Sequence, residues 1–198
     1  ASGLKDGVLY RIDLKNTRAT EVSPGTAFTE LIPVSNSSVS GVAHYAWDCD
    51  GNLWFSGQIS SRALDSSDSW YSKYSGMYDW RKVTLPANAV DVQLDERGVF
   101  VLDSSGYAYF VQPYNSAARP LNKNGDILFK KIHVTTYSGS TDYGCESMLI
   151  GITKDNKVVY TREDGSYYGF DLRTYSYYSR YELTKDDYAE NTGMTNAL

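Results

Sequence analysis

The 198-residue chain is short of the residues that most chemistry needs. It has two cysteines, Cys49 and Cys145, and two histidines, His44 and His133. Neither cysteine belongs to a C-x-x-C pair, so the usual Cys/His zinc-site spacing is missing and no metal is expected. The two thiols read as buried side chains. A disulfide between them needs Cα atoms within about 7 Å, a condition that spacing alone does not decide. G-x-S-x-G, H-E-x-x-H and phosphate-cradling glycine signatures are missing, which removes the usual routes to nucleophilic, zinc-dependent and nucleotide chemistry. Each histidine stands in an alternating pattern, "VAHYAW" or "FKKIHV". Each reads as a strand residue with a hydrogen bond rather than a general base.

Positive charge is also scarce. The formal net charge is −5 and the pI is near 5.0; without a basic stripe, nucleic acid is not an expected partner. No apolar run approaches membrane-spanning length, and the opening "ASGLKDG" has no apolar h-region, so membrane insertion is not expected either. Sustained helical periodicity is missing too, because Gly, Pro, Ser and Asn interrupt every candidate segment. What the chain does have is tyrosine, 18 of them, with four tryptophans and 16 glycines. Tyrosine favours strands and makes broad contact surface. With 41% hydrophobic residues the chain can bury a real core.

A short pattern recurs: a turn, Gly, two residues, then an aromatic. It appears as Asp6-Gly7-Val8-Leu9-Tyr10, Asp50-Gly51-Asn52-Leu53-Trp54 and Ser105-Gly106-Tyr107-Ala108-Tyr109. Degenerate copies are Asn156-Lys157-Val158-Val159-Tyr160 and Asp164-Gly165-Ser166-Tyr167-Tyr168. In each, an apolar strand such as "GVAHYAW", "GVFVLD" or "SMLIGIT" leads into a tight turn where Gly or Asn accepts positive φ. A second strand then leaves. Further strands are predicted at "WRKVTLP" (80–86), "AVDVQLD" (89–95) and "LFKKIHV" (128–134). The chain is therefore expected to be all-β. Repeats of roughly 40 to 55 residues built on such hairpins point to β-propeller blades.

"WDCDGNLWFSG" resembles the D-x-x-G-N-L-W core of two-component-regulator propeller repeats. "WRKVTLPANAVDVQLDERGVFVLDSSGYAYFV" is similar to tectonin and chromosome-condensation-regulator repeats. The likeness covers roughly residues 28 to 172 and describes how a hairpin is built rather than any chemistry. It implies a propeller-like array of about four antiparallel four-stranded blades, with three ways to complete the ring open: the C-terminal strands close onto the N-terminal ones, a second chain completes it, or the chain is a fragment of a larger protein. A two-sheet β-sandwich is the alternative. The expected organisation is one domain over 1–184 with an aromatic insertion at 60–80, then a polar tail at 185–198.

The turn Asp48-Cys49-Asp50-Gly51-Asn52 could bring three oxygens together. A calcium loop, however, places Gly sixth and Glu twelfth, and here those positions do not match. Asp, Asn and Gly are the residues of a hairpin corner, so a turn is the reading.

Function is expected in the connections. Residues 60–80, "SSRALDSSDSWYSKYSGMYDW", interleave aromatics with Ser, Gly and Asp, the make-up of a recognition surface. Trp80 is expected in the core, whereas Trp70, Tyr71, Tyr74 and Tyr78 are candidate ligand contacts. Tyr137 and Tyr143 join them from "TTYSGSTDYGCE" (135–146), and "RTYSYYSRYE" (173–182) reads as a tyrosine-rich edge strand or loop. The expected function is a non-catalytic recognition or adhesion module that binds a glycan or protein surface. No cofactor is implied. The Tyr-, Ser- and Asn-rich composition resembles bacteriophage tail and fibre proteins, which implies an extracellular or virion-associated setting. An assembly domain, whether homo-oligomeric or part of a larger complex, is the alternative. A carbohydrate-active enzyme using loop carboxylates such as Asp65, Asp68, Asp79, Asp142 and Glu146 ranks third, since such chemistry needs only two carboxylates about 5 to 10 Å apart.

Overall fold

The structure, a computed structural model, describes residues 1–35, 42–57, 79–95, 98–111, 113, 118–121, 127–137, 146–161 and 188–190. Every regular element among these residues is a β-strand, as the patterning predicts. Cα packing divides the chain into two units. The first comprises Ala1–Leu85, Leu94–Gly98 and Gln112–Ala117; the second comprises Pro86–Gln93, Val99–Val111 and Ala118–Leu198.

The first unit holds two sheets. Strands β1 (Ser2–Lys5), β2 (Val8–Asp13) and β3 (Arg18–Glu21) form the first. Strands β4 (Phe28–Ser35), β5 (Val42–Asp48), β6 (Leu53–Ser56) and β7 (Arg81–Lys82) form the second. The third sheet, mostly within the second unit, is β8 (Ala89–Asp95), β9 (Gly98–Asp103), β10 (Ala108–Val111) and β11 (Ala118–Pro120). The fourth is β12 (Phe129–Tyr137), β13 (Glu146–Thr153), β14 (Val158–Thr161) and β15 (Tyr188–Glu190). In each sheet, strands adjacent in space are adjacent in sequence. Small antiparallel sheets of three and four strands are thus the observed architecture.

Strand positions follow the alternation closely, with two differences. "WRKVTLP" pairs only over Arg81–Lys82, opposite Phe55 and Trp54. One more backbone bond runs from Val83 N to Leu53 O, 2.8 Å, and there β6 begins, so the partner runs out. Within the stretch read as a polar tail, Tyr188–Glu190 adds a fourth strand to the last sheet, with Val159 opposite Glu190 and Thr161 opposite Tyr188.

The second and fourth sheets repeat one another residue by residue. In both, an aromatic opens the first strand opposite the residue that starts the turn: Phe28 faces Asp48, and Phe129 faces Thr153. In both, the register slips at the next step, between Phe28 and Glu30 and between Phe129 and Lys131. Turns of one type follow. Asp48 N bonds Asn52 O at 3.0 Å, Asp103 N bonds Tyr107 O at 2.9 Å and Thr153 N bonds Lys157 O at 2.9 Å. Positive φ at Gly7 (76°), Gly51 (78°), Gly106 (94°) and Asn156 (66°) closes the turns, as their Gly and Asn residues predict.

Each unit has its own apolar cluster. In the first, Leu9, Phe28, Ala46 and Trp80 pack together. The Phe28 ring lies edge-on to Trp54 at 5.9 Å and tilted against Trp80 at 6.1 Å. Trp80 is only 8% exposed and takes the core place expected of it. In the second, Phe100, Leu102, Ala108, Phe110 and Leu121 of the third sheet meet Phe129, Ile132, Leu149 and Val159 of the fourth. Burying one such side chain contributes about 1.5–3 kcal/mol. Gly151 makes room for the opening aromatic, since a Cβ there would sit 2.4 Å from the Phe129 ring.

Cys49 corrects an expectation. It is exposed on the turn rather than buried, because the chain's corner turns its second residue outward, and its thiol is free. Cys145 lies outside the described residues.

Candidate functional site

The second and fourth sheets each have two unlike ends. At one end sit the compact turns, and their order comes from a single side chain each. The Asp48 carboxylate is 3% exposed. Its Oδ1 accepts from Asn52 N at 2.8 Å and Asp50 N at 3.0 Å; its Oδ2 accepts from Asn52 Nδ2 and Trp54 Nε1, both at 2.8 Å. Burial alone works against the ionised form. These hydrogen bonds, from Trp54 and Asn52 above all, outweigh it and hold the carboxyl at about 2. With its lone pairs taken by protein donors, Asp48 is the corner of a hairpin. No metal-holding group of His, Cys, Asp and Glu occurs among the described residues.

The same device recurs with other chemistry. Asp103 Oδ1 accepts from Tyr107 N at 2.9 Å, and Tyr109 Oη donates to Asp103 Oδ2 at 3.2 Å. Burial, with the Asp103 charge behind it, pushes the Tyr109 hydroxyl up. In the fourth sheet Thr153 Oγ1 accepts from Lys157 N at 3.0 Å. In the Asp48 and Asp103 turns the aromatic stands six residues after the first acid and its polar tip reaches back to it; six residues after Thr153 stands Val159, which has no polar tip. Sequence reading found the spacing and missed this bond, for which D-x-x-x-x-x-W and D-x-x-x-x-x-Y are the signal.

These turn ends also join sheet to sheet within each unit. Phe28 N bonds Gly7 O at 2.9 Å and Cys49 N bonds Ala27 O at 2.9 Å in the first. Phe129 N bonds Gly106 O at 2.9 Å and Lys154 N bonds Leu128 O at 2.8 Å in the second. Small residues suit so close an approach: a Cβ on Gly106 would lie 2.9 Å from Phe129 O.

The other end carries the longer connections. β6 runs away from the turn at 49–52, so the chain leaves at Gly57 and returns at Asp79 at the far end of its sheet. The feet of the aromatic insertion are thus two adjacent antiparallel strands. Beside them, His44 faces Ser56 across the β5–β6 pair; both are strand residues, and burial pushes the His44 imidazole down. His133 lies exposed on β12, also within a strand. The far end of the fourth sheet is similar. Tyr137 faces Glu146 at the last pair before 138–145, and 162–187 link β14 to β15 at that same end. The insertion therefore has a long counterpart in the equivalent connection of the fourth sheet, which includes the tyrosine-rich 173–182.

Of the candidate ligand contacts, Trp70, Tyr71, Tyr74, Tyr78 and Tyr143 lie outside the described residues, and Tyr137 is described for its backbone alone. Asp79 is exposed at the foot of the insertion. Asp65, Asp68 and Asp142 also lie outside, and Glu146 is described for its backbone alone. Among comparisons with known proteins, no family model and no curated protein matches the chain.

Proposed function

We propose that the chain is a non-catalytic recognition module, a propeller-like stack of small sheets whose Tyr/Trp/Ser-rich connections bind a glycan or protein surface. One observation carries this reading. In the second and fourth sheets the aromatic-rich connections start and finish on paired strands at the end opposite the hydrogen-bonded turns. A compact turn end that joins sheets, with long aromatic-rich connections at the opposite end, is how binding loops sit on scaffolds. Tyr and Trp faces then supply contact area at low entropic cost, and Ser, Gly and Asp adapt their hydrogen bonds.

The test is an array of bacterial surface polysaccharides and glycans probed with the intact chain and with Trp70→Ala/Tyr71→Ala/Tyr74→Ala. Specific binding by the intact chain, reduced at least about tenfold in a variant that keeps its melting temperature, is the expected result. A folded intact chain that binds nothing on the array moves the function to assembly with a protein neighbour. Binding that survives the triple substitution moves the surface away from the insertion.

A further inference from the structure

We infer that Gln93 is a side-chain staple that closes the free edge of β12, and that Pro33 closes the corresponding edge of β4 by a different device. Among the described residues, β12 and β4 are the outermost strands of their sheets. An outermost strand presents outward-facing N–H and C=O groups on which another strand can pair.

The Gln93 carboxamide, carried on β8, meets such a pair of groups. Its Nε2 donates to Ile132 O, and its Oε1 accepts from Val134 N at 3.0 Å. Ile132 O and Val134 N, an acceptor and a donor two residues apart on one strand edge, are what the N–H and C=O of a single residue on a neighbouring parallel strand would satisfy, so the carboxamide stands in for that residue's backbone groups. Both partners are partly buried, where an unmet donor costs more than the bond itself returns.

Register identifies the corresponding place in the second sheet. Ile132 faces Gly151, two residues before Thr153; Leu31 faces Ala46, two residues before Asp48. Val134 faces Leu149, and its counterpart facing His44 is Pro33. Proline has no N–H, so the donor that Gln93 satisfies on β12 does not exist on β4. Pro33 is exposed, so its edge is open to water. The same position is thus protected twice, once by a bonded amide and once by removing the donor. Partners are directed to the connections rather than to the first strands of these sheets.

Amide hydrogen exchange of the whole chain tests this. Gln93→Met matches the side chain's length and bulk without its polar atoms, and it should speed exchange of the Val134 amide at least about tenfold. Gln93→Glu keeps an acceptor and should retain most of that protection, which also reads the same amide if the Met variant does not fold. The amide introduced by Pro33→Val should exchange nearly as fast as a solvent-exposed one. Val134 exchange unchanged in Gln93→Met, or a well-protected amide in Pro33→Val, overturns the inference.

Discussion

At the residue scale, the carboxylate of Asp48 gathers donors from the next six residues, two backbone amides, the Asn52 carboxamide and the Trp54 indole. Its removal leaves those donors without their acceptor in a mostly buried corner, so Asp48→Ala should cost about 2–3 kcal/mol at neutral pH. The loss should depend on pH with a definite sign. The folded pKa is lowered from 3.8 to about 2, so the stabilisation is complete above the unfolded value and fades as pH falls through the folded one. Urea midpoints of wild type and Asp48→Ala should therefore differ most near pH 6 and converge between about pH 4 and pH 2. A gap that persists unchanged at low pH would mean that the charge is not what holds the turn. Gly151 offers a steric test of the same precision. A methyl there meets the Phe129 ring at 2.4 Å, so Gly151→Ala should destabilise by about 1–3 kcal/mol in a denaturation titration. Ala46, at the equivalent place in the second sheet, already carries that methyl beneath Phe28.

At the element scale, the turn is a transferable part. Residues 48–52 and 153–157 share their two backbone hydrogen bonds and the positive φ at the fourth position, although one is led by Asp and the other by Thr. Replacing 48–52 with "TKDNK" should leave the second sheet folded. The loss should be confined to the Trp54 bond and the extra Asp48 contacts, about 1–2 kcal/mol, with a single cooperative melt. An unfolded or multiphasic product would show that the turns differ in more than their first side chain. Such turns were legible in the sequence because Asp, Gly and Asn at fixed spacing have a mechanical reason to be there. So were the strands on either side, since alternation such as "GVFVLD" marks a residue-by-residue choice of face. Less legible were the short outer strands β3, β7, β11 and β15. They have two to four residues each and are specified by the neighbour they pair with rather than by a pattern of their own. Gln93 was invisible for the same reason, since its partners are about 40 residues away and no local pattern announces a long-range side-chain bond.

At the scale of the whole molecule, the chain is a series of alike sheets with connections of very unlike length and content. Repetition fixes the alike part: Phe28 and Phe129, Asp48, Asp103 and Thr153, and Trp54 and Tyr109 do matching jobs in different sheets. The connections are free of that constraint, and there the composition shifts to Tyr, Trp, Ser and Asp. The candidate site was legible only as a composition at known places, because what a loop binds is set by the partner's shape as much as by the loop. The most direct measurement joins Gly57 to Asp79 through a short Gly/Ser linker in place of 58–78 and follows both melting and polysaccharide binding. The melting temperature should stay within a few degrees, as the feet of the insertion are adjacent paired strands, and binding should be lost. A shortened chain that still binds, or one that no longer folds, would contradict the division between a self-sufficient scaffold and a recognising insertion.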